Sequence, residues 1–369
     1  MILHFFSDDV FSDYVIEQFA EPEMCSEFVL MSSSKNTTYI NRAKGIKIVN
    51  PNNKELMSNL VNSLGFYSAI VLHGLFYPWC ETILRGVPDY VKVAWVFWGG
   101  EIYGRKDMGG VFLSNRSKCL LLFHQLTRML KNKKPSEHFE LSRVLFQRID
   151  YCLTDIHEDF EFVKAYCGFG AKELWYNYYS IDETLGDLRY QSVDGNNILI
   201  GNSCTLECNH IDGFKAVNKF AGKNAQIIIP LSYGELWLRR YLLRIGRCMF
   251  GKRFRPLVDF VPRDEYNKII KSCAVVIMPH YRPQAYGNIL VALWLGSQVY
   301  MSEKSLLYVF LKRKGVTVFS IESDLRRSKR YLVSPLPVEV RDENRRVIAS
   351  LYEKSVMKNK IRKIVEILG

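Results

Sequence analysis

The stretch "AVVIMPHYRPQAYGNILVALWLGSQVYM", residues 274 to 301, decides the fold. It contains most of the longest charge-free run of the chain, 283–302, which is either a membrane span or the interior of an α/β domain. A spanning helix needs about 20 predominantly apolar residues. Here Gln284, Gly287, Asn288, Gly296 and Gln298 interrupt the run. The stretch reads instead as a strand, "AVVIMP", a polar loop, a buried helix, "YGNILVALWLG", and a second strand, "QVYM". That is one βαβ unit of a mostly parallel sheet.

The same alternation extends in both directions. Upstream, "ILIGNS" and "AQIIIP" are strands, with a helix over "NHIDGFKAVNKFAG" between them. "VPRDEYNKIIKSC" is a helix with proline at its first position. Downstream come a helix, "SEKSLLYVFLKRKG", a strand, "VTVF", and a charged amphipathic helix from Asp342 to the end. In the first half "MILHFF", "FVLM", "IKIV", "AIVL", "VAWVFW" and "YCLT" read as strands, with helices over 54–65, 111–131 and 157–167. The polar, turn-rich segment 178–197 marks a domain boundary. The expected fold is α/β: two Rossmann-like domains facing a cleft, spanning 1–185 and 195–340, and a last helix, 342–369.

Composition agrees with a chain of this kind. Its 369 residues suit two domains, and 48% hydrophobic with 24% charged residues is the balance of a globular protein. The net charge of +12 points to an anionic partner. It is concentrated in "RRYLLRIGRCMFGKRFRP" (239–256), which contains no acid, and in "RRSKR" (326–330). The lack of any balancing acid in 239–256, whose basic residues are interleaved with Tyr, Leu, Met and Phe, favours a membrane-facing patch over a solvated helix face. The nine cysteines are scattered, several within apolar runs such as Cys119 before "LLLF", and read as reduced, buried thiols of a cytosolic protein. The N-terminus has no basic region or cleavage site typical of a signal peptide.

In parallel sheets ligands bind beyond the carboxyl ends of the strands. Those ends carry His73 and Gly74; Gly99, Gly100 and Glu101; Gly201, Asn202 and Ser203; Ser232, Tyr233 and Gly234; and Arg282 with Gln284. Each taken singly is an ordinary turn residue, and Glu101 could simply cap the helix after it. Their recurrence in both halves favours a ligand. Arg282 and the "QAYGN" backbone would stand at a helix N-terminus, where free N–H groups and the helix dipole attract phosphate. Other chemistries lack their residues. No G-x-G-x-x-G, P-loop, G-x-S-x-G or Asp-x-Asp is present. Cys204, Cys208 and His210 lack a fourth zinc ligand at sensible spacing, so neither metal nor cofactor is expected.

"VLHGLF" (71–76), "FWGGEIYG" (97–104), "ILIGNSCTLECNHIDGFKAV" (198–217), "IIIPLSYG" (227–234) and "RPQAYGN" (282–288) occur in the order and spacing of a known family. The chain resembles the TDP-N-acetylfucosamine:lipid II N-acetylfucosaminyltransferases, glycosyltransferase family fifty-six, over roughly 65 to 320. The resemblance implies a GT-B fold with an N-terminal acceptor domain, a C-terminal donor domain and a last helix returning to the first domain. It implies a nucleotide-diphosphate sugar donor, the TDP form, and a polyprenyl-diphosphate-linked acceptor. Transfer would be metal-independent, on the cytoplasmic face of the cell membrane, in surface-polysaccharide synthesis.

Carried over by residue, the resemblance makes Gly201, Asn202, Ser203, Tyr233, Arg282, Gln284, Gly287 and Asn288 donor contacts. Asn209 and His210 match the family's helix start. Glu101 stands where aspartate is commoner, with His73 and Gly74 matching a His–Gly pair. Glu101, then His73, are the candidate bases; Asp8 and Asp9 are secondary. Inversion and retention stay open. The alternatives are a nucleic-acid-binding protein using the 239–256 patch and an inactive sugar-binding partner of a polysaccharide assembly; no nucleic acid is expected as partner.

Overall fold

The structure is a computed structural model, described here for residues 1–34, 36–40, 45–129, 139–218, 224–325 and 334–369. The chain divides into two compact units. Unit 1 comprises Met1–Asp107, Ser136–Ser180 and Lys354–Gly369; unit 2 comprises Met108–Pro135 and Ile181–Glu353.

Unit 1 is built on a seven-stranded parallel sheet of order β3-β2-β1-β4-β5-β6-β7. The strands are β1 (Ile2–Phe6), β2 (Ser26–Met31), β3 (Ile46–Val49), β4 (Ala69–His73), β5 (Lys92–Val96), β6 (Tyr151–Thr154) and β7 (Lys172–Trp175). The central strands are buried on both faces, as a sheet covered by helices on each side requires: Ile2 to Phe6 and Ala69 to His73 are all buried, and all but His4 and His73 are apolar. The covering helices are α1 (Ser12–Phe19), α2 (Lys54–Ser63), α3 (Pro78–Gly86), the single turn α4 (Gly100–Tyr103), α6 (His157–Cys167) and α14 (Lys354–Leu368). Asn53 starts α2 by accepting a hydrogen bond from the Leu56 N–H at 3.0 Å, and Pro78 opens α3.

Unit 2 holds a six-stranded parallel sheet of order β10-β9-β8-β11-β12-β13. Its strands are β8 (Asn197–Ile200), β9 (Ile227–Pro230), β10 (Phe254–Leu257), β11 (Cys273–Met278), β12 (Gln298–Met301) and β13 (Phe319–Ser320). Its helices are α5 (Asn115–Met129), α7 (Ile181–Leu185), α8 (His210–Asn218), α9 (Leu236–Phe250), α10 (Arg263–Lys271), α11 (Tyr286–Leu295), α12 (Leu306–Arg313) and α13 (Val338–Tyr352). The stretch 274–301 is β11, loop, α11 and β12 as read, and every residue of α11 from Ile289 to Leu295 is buried. Among the described residues no helix is long and apolar enough to cross a membrane. In each sheet the strand order reverses once, between β1 and β4 and between β8 and β11, the doubly wound pattern.

The structure corrects four expectations. The helix at 111–131 runs from Asn115 to Met129 and belongs to unit 2 rather than to an N-terminal domain of 1–185. Buried Asn209 fastens this segment there: its Oδ1 accepts the Ser114 N–H at 2.8 Å, and its Nδ2 donates to the carbonyls of Phe112 and Pro279, both at 3.2 Å. The last helix is two helices broken at Glu353, with α13 packed on α11 in unit 2 and α14 in unit 1. Of the cysteines expected to be buried, Cys25, Cys119 and Cys248 are exposed; after Cys119 on α5, Leu120 and Leu121 pack against the unit 2 core, whereas Leu122 and Phe123 face outward. Two strands went unread: β7, and β10 inside the basic stretch. The basic tract 326–330 lies outside the described residues.

Candidate functional site

Beyond the carboxyl end of β8 in unit 2, the chain turns at Gly201 with φ +68°. A side chain there would put Cβ 2.9 Å from Nε2 of the buried His210, so only glycine fits. The turn presents Asn202, whose Nδ2 donates to the Tyr233 hydroxyl at 3.4 Å and whose Oδ1 accepts from the Cys208 thiol at 3.3 Å. The Ser203 hydroxyl is buried beside the same thiol at 3.3 Å. Tyr233 belongs to the loop after β9. That loop is tied to the first by backbone bonds from Cys204 N to the Tyr233 carbonyl and from Glu235 N to the Cys204 carbonyl, both 2.8 Å.

The loop after β11 completes the cluster. Gln284 Nε2 donates to the Cys208 sulfur at 3.4 Å, and Gln284 Oε1 accepts from Arg282 Nε at 3.0 Å. This fixes the plane of a half-exposed guanidinium. Ala285 then adopts the left-handed conformation, φ +59°, at the N-terminus of α11, where no side chain caps the helix. A non-glycine residue held there stores strain of the kind found at ligand sites. The N–H groups of Gly287 and Asn288, in the first turn of α11, point the positive end of that helix towards an anion. Six of the eight donor candidates, Gly201, Asn202, Ser203, Tyr233, Arg282 and Gln284, therefore meet in one hydrogen-bonded cluster or the turn that forms it. Gly287 and Asn288 begin the adjoining helix. The hub, Cys208, went unread as such. Its only signal was a thiol among the polar residues of a strand-end loop, which could equally be core.

Histidines nearby are structural in placement. His210 and His280 are buried, and burial lowers them to about 4 and about 3 respectively, so both are neutral. Among the described residues no three His, Cys, Asp or Glu side chains group as a metal site.

In unit 1, β5 is followed by Phe97, Trp98 and Gly99, whose φ of +92° turns the chain into α4. Glu101 Oε1 accepts from the Trp95 indole N–H and the Trp98 backbone N–H, both at 3.1 Å. The second bond reaches back past Gly99 to the residue before it, so Glu101 braces the turn into α4 but does not cap the helix, whose N-cap position, Gly99, has no side-chain hydrogen bond. Its other oxygen, Oε2, is enclosed and meets no hydrogen-bond partner among the described residues. Burial outweighs the hydrogen bonds and raises the carboxyl to about 7. The residue lines a cavity of about 440 Å³ between the loop after β4, with Phe76 and Tyr77, and the turn carrying Gly104 and Arg105. Glu140 lines it as well, with Arg105 held 3.5 Å away.

His73 is placed differently from a base. Its Nε2 is 3.1 Å from His4 Nδ1 and its Nδ1 is 3.2 Å from the Tyr178 hydroxyl, so both ring nitrogens are engaged inside unit 1. Burial and the neighbouring His4 hold it well below its ordinary range. Tyr178 in turn accepts from the Trp98 indole. The His4–His73–Tyr178–Trp98 chain fixes the tryptophan next to Glu101, which makes His73 a positioning residue. His4, Trp95 and Tyr178 were missed because each looks like core. Asp9, beyond β1, accepts the Phe11 N–H at 2.7 Å, and burial raises it to about 6; Asp8 accepts from the backbone of Thr38 and Tyr39.

Comparison with known proteins gives the family and the fold. Residues 1–334 match the family described as 4-alpha-L-fucosyltransferase, glycosyl transferase group 56. A glycosyltransferase from Rickettsia africae superposes over all of this chain and 98% of its own, with TM-score 0.62 and 10% identity. Anabaena Alr3699/HepE in complex with UDP and glucose does so over 100% and 94%, with TM-score 0.56 and 11% identity. A chain of the GtfA/B complex matches 85% of this chain, which spans 60% of that one's length, with TM-score 0.53 and 9% identity. Each unit carries the parallel α/β sheet of GT-B glycosyltransferases, and the chain belongs to the glycosyltransferase group 56 family.

Proposed function

We propose that the protein transfers a deoxy- or acetamido-hexose from a nucleotide-diphosphate sugar, the TDP form, to a polyprenyl-diphosphate-linked glycan in surface-polysaccharide synthesis. The work is done without a metal, peripherally on the inner face of the cell membrane. One observation carries this reading. Asn202, Ser203, Tyr233, Gln284 and Arg282 converge beside the uncapped start of α11, at the strand-order reversal between β8 and β11. Open parallel sheets hold their ligands at such a reversal. That the Anabaena neighbour was solved with UDP and glucose supports a nucleotide-sugar donor.

In transfer, the bond between the anomeric carbon and the diphosphate oxygen breaks, and a new one forms to the acceptor oxygen. The negative charge left on the diphosphate is met by Arg282 and the α11 N–H groups. If configuration inverts, the acceptor hydroxyl loses its proton to a carboxylate, and Glu101 is our assignment. A base titrating about 7 is half deprotonated near neutrality and still holds a proton well enough to draw it off.

A thermal-shift screen of TDP, UDP, GDP and CMP tests the donor. A nucleoside diphosphate should raise the melting temperature. Arg282→Ala should weaken its affinity by roughly 10- to 100-fold, the loss of charge-assisted hydrogen bonds. Stabilisation by none of the four, or unchanged affinity in the variant, would remove the donor site from this cluster.

A further inference from the structure

Unit 2 exposes an apolar stripe away from its strand ends. On α5, Leu122, Phe123 and Leu126 are 59, 66 and 62% exposed. At spacings of one, three and four they share one helix face. A helix of a soluble domain turns such a face inward; an outward one marks an interaction surface. α9 lies alongside. The His124 ring stacks on Trp237 at 3.9 Å, and Phe123 and Tyr241 border a shared groove of about 610 Å³. Further along α9, Arg240, Arg244 and Arg247 are exposed on one face, and residues 236–256 contain no acid.

The pairing selects the occupant. A polyanion such as nucleic acid would use the arginines but has no need of three outward apolar side chains. A second copy of this chain could cover the stripe by symmetry, yet would bring its own arginine row towards this one. Anionic headgroups above acyl chains satisfy both features at once. We propose that α5 and α9 form a docking surface for an anionic lipid bilayer. Leu122, Phe123 and Leu126 enter the acyl boundary, and Arg240, Arg244 and Arg247 lie among the headgroup phosphates. The surface rests on the membrane partner of the function proposed above, but not on its donor or its base.

The test is flotation of the full-length protein with vesicles of phosphatidylcholine, alone or with about 30% phosphatidylglycerol. The protein should bind the anionic vesicles on the order of tenfold more tightly than the neutral ones. Arg240→Glu with Arg244→Glu should weaken that binding by roughly 30-fold or more. Leu122→Ser with Phe123→Ser should weaken it on the order of tenfold. Both doubles should keep the wild-type melting temperature and nucleoside diphosphate affinity, since these side chains face solvent. Wild-type protein that stays off anionic vesicles, or doubles that bind like wild type, would overturn the assignment. So would a wild-type dimer that L122S/F123S dissociates, which gives the stripe to a second copy. Oligonucleotide binding without vesicle binding would give the arginines to nucleic acid. Lost nucleoside diphosphate binding with vesicle binding intact would count against the donor site alone.

Discussion

Glu101 uses its two carboxylate oxygens differently: Oε1 accepts from the Trp95 indole and Trp98 backbone N–H groups, while Oε2 is buried with no hydrogen-bond partner among the described residues. Those two facts predict different outcomes for one substitution. Glu101→Gln can keep an oxygen acceptor for the Trp95 and Trp98 N–H groups, so the fold and donor affinity should survive. It cannot take a proton, so turnover should fall by about a hundredfold or more. In the wild type, turnover should rise with pH through a limb near 7 as the carboxyl ionises, and the variant should lack that limb. A pH–rate profile of both proteins decides it; a limb that persists in the glutamine variant assigns the base elsewhere. His73 shows the opposite case, a strand-end residue whose role as a base fades once both its nitrogens are accounted for.

At the scale of elements, strands and helices with apolar cores were readable because their patterns are local. "AVVIMP" and "YGNILVALWLG" are β11 and α11 within a residue or two. Partners of an element were not readable. The outward stripe of α5 has the same spacing as a core-facing one, so all of "LLLF" looked buried until the neighbouring elements were in place. The C-terminal segment likewise showed one amphipathic pattern, whereas the chain breaks at Glu353 and its two halves join different units. α14 packs Met357, Ile361, Ile364 and Leu368 into unit 1, the last three joining the core cluster that contains Ile2, Val71 and Leu153. The ion pairs along it, Lys358–Glu21 and Arg362–Glu23, are solvent-exposed and contribute little. The apolar face therefore dominates. Ile361→Ala should cost about 2–5 kcal/mol, while Lys358→Ala should cost about 1 kcal/mol or less. Denaturant unfolding compares them, and a larger loss at Lys358 would mean that charge, not packing, retains the helix.

Across the whole molecule, the alternation of strands and helices announced two α/β halves, but each unit is discontinuous in sequence. Buried polar side chains such as Asn209 assign segments to units, and no local pattern reveals which polar residues will be buried. The same burial sets how the molecule responds to acid. His4 and His73 in unit 1 and His210 and His280 in unit 2 are enclosed and neutral. Burial places His4 and His280 at about 3 and His210 at about 4, with His73 also well below its ordinary value. The unfolded chain binds these protons from about pH 6.5 downward and the folded chain does not, so the histidines draw the protein towards unfolding as pH falls. Glu101 and Asp9 act in the opposite sense. Raised to about 7 and about 6, they hold protons in the folded state that the unfolded chain has released, which adds stability over the same range. Four histidines outweigh two carboxyls, leaving an excess of about two protons bound by the unfolded chain near pH 5.5. Stability should then drop by about 2–3 kcal/mol per pH unit between pH 6 and 5. That is a large share of a typical total of roughly 5–15 kcal/mol. Calorimetric melting from pH 7 to 5 should show a steep fall beginning below about 6.5. A flat profile would mean that the carboxyls balance the histidines, or that the histidines are charged in the folded protein.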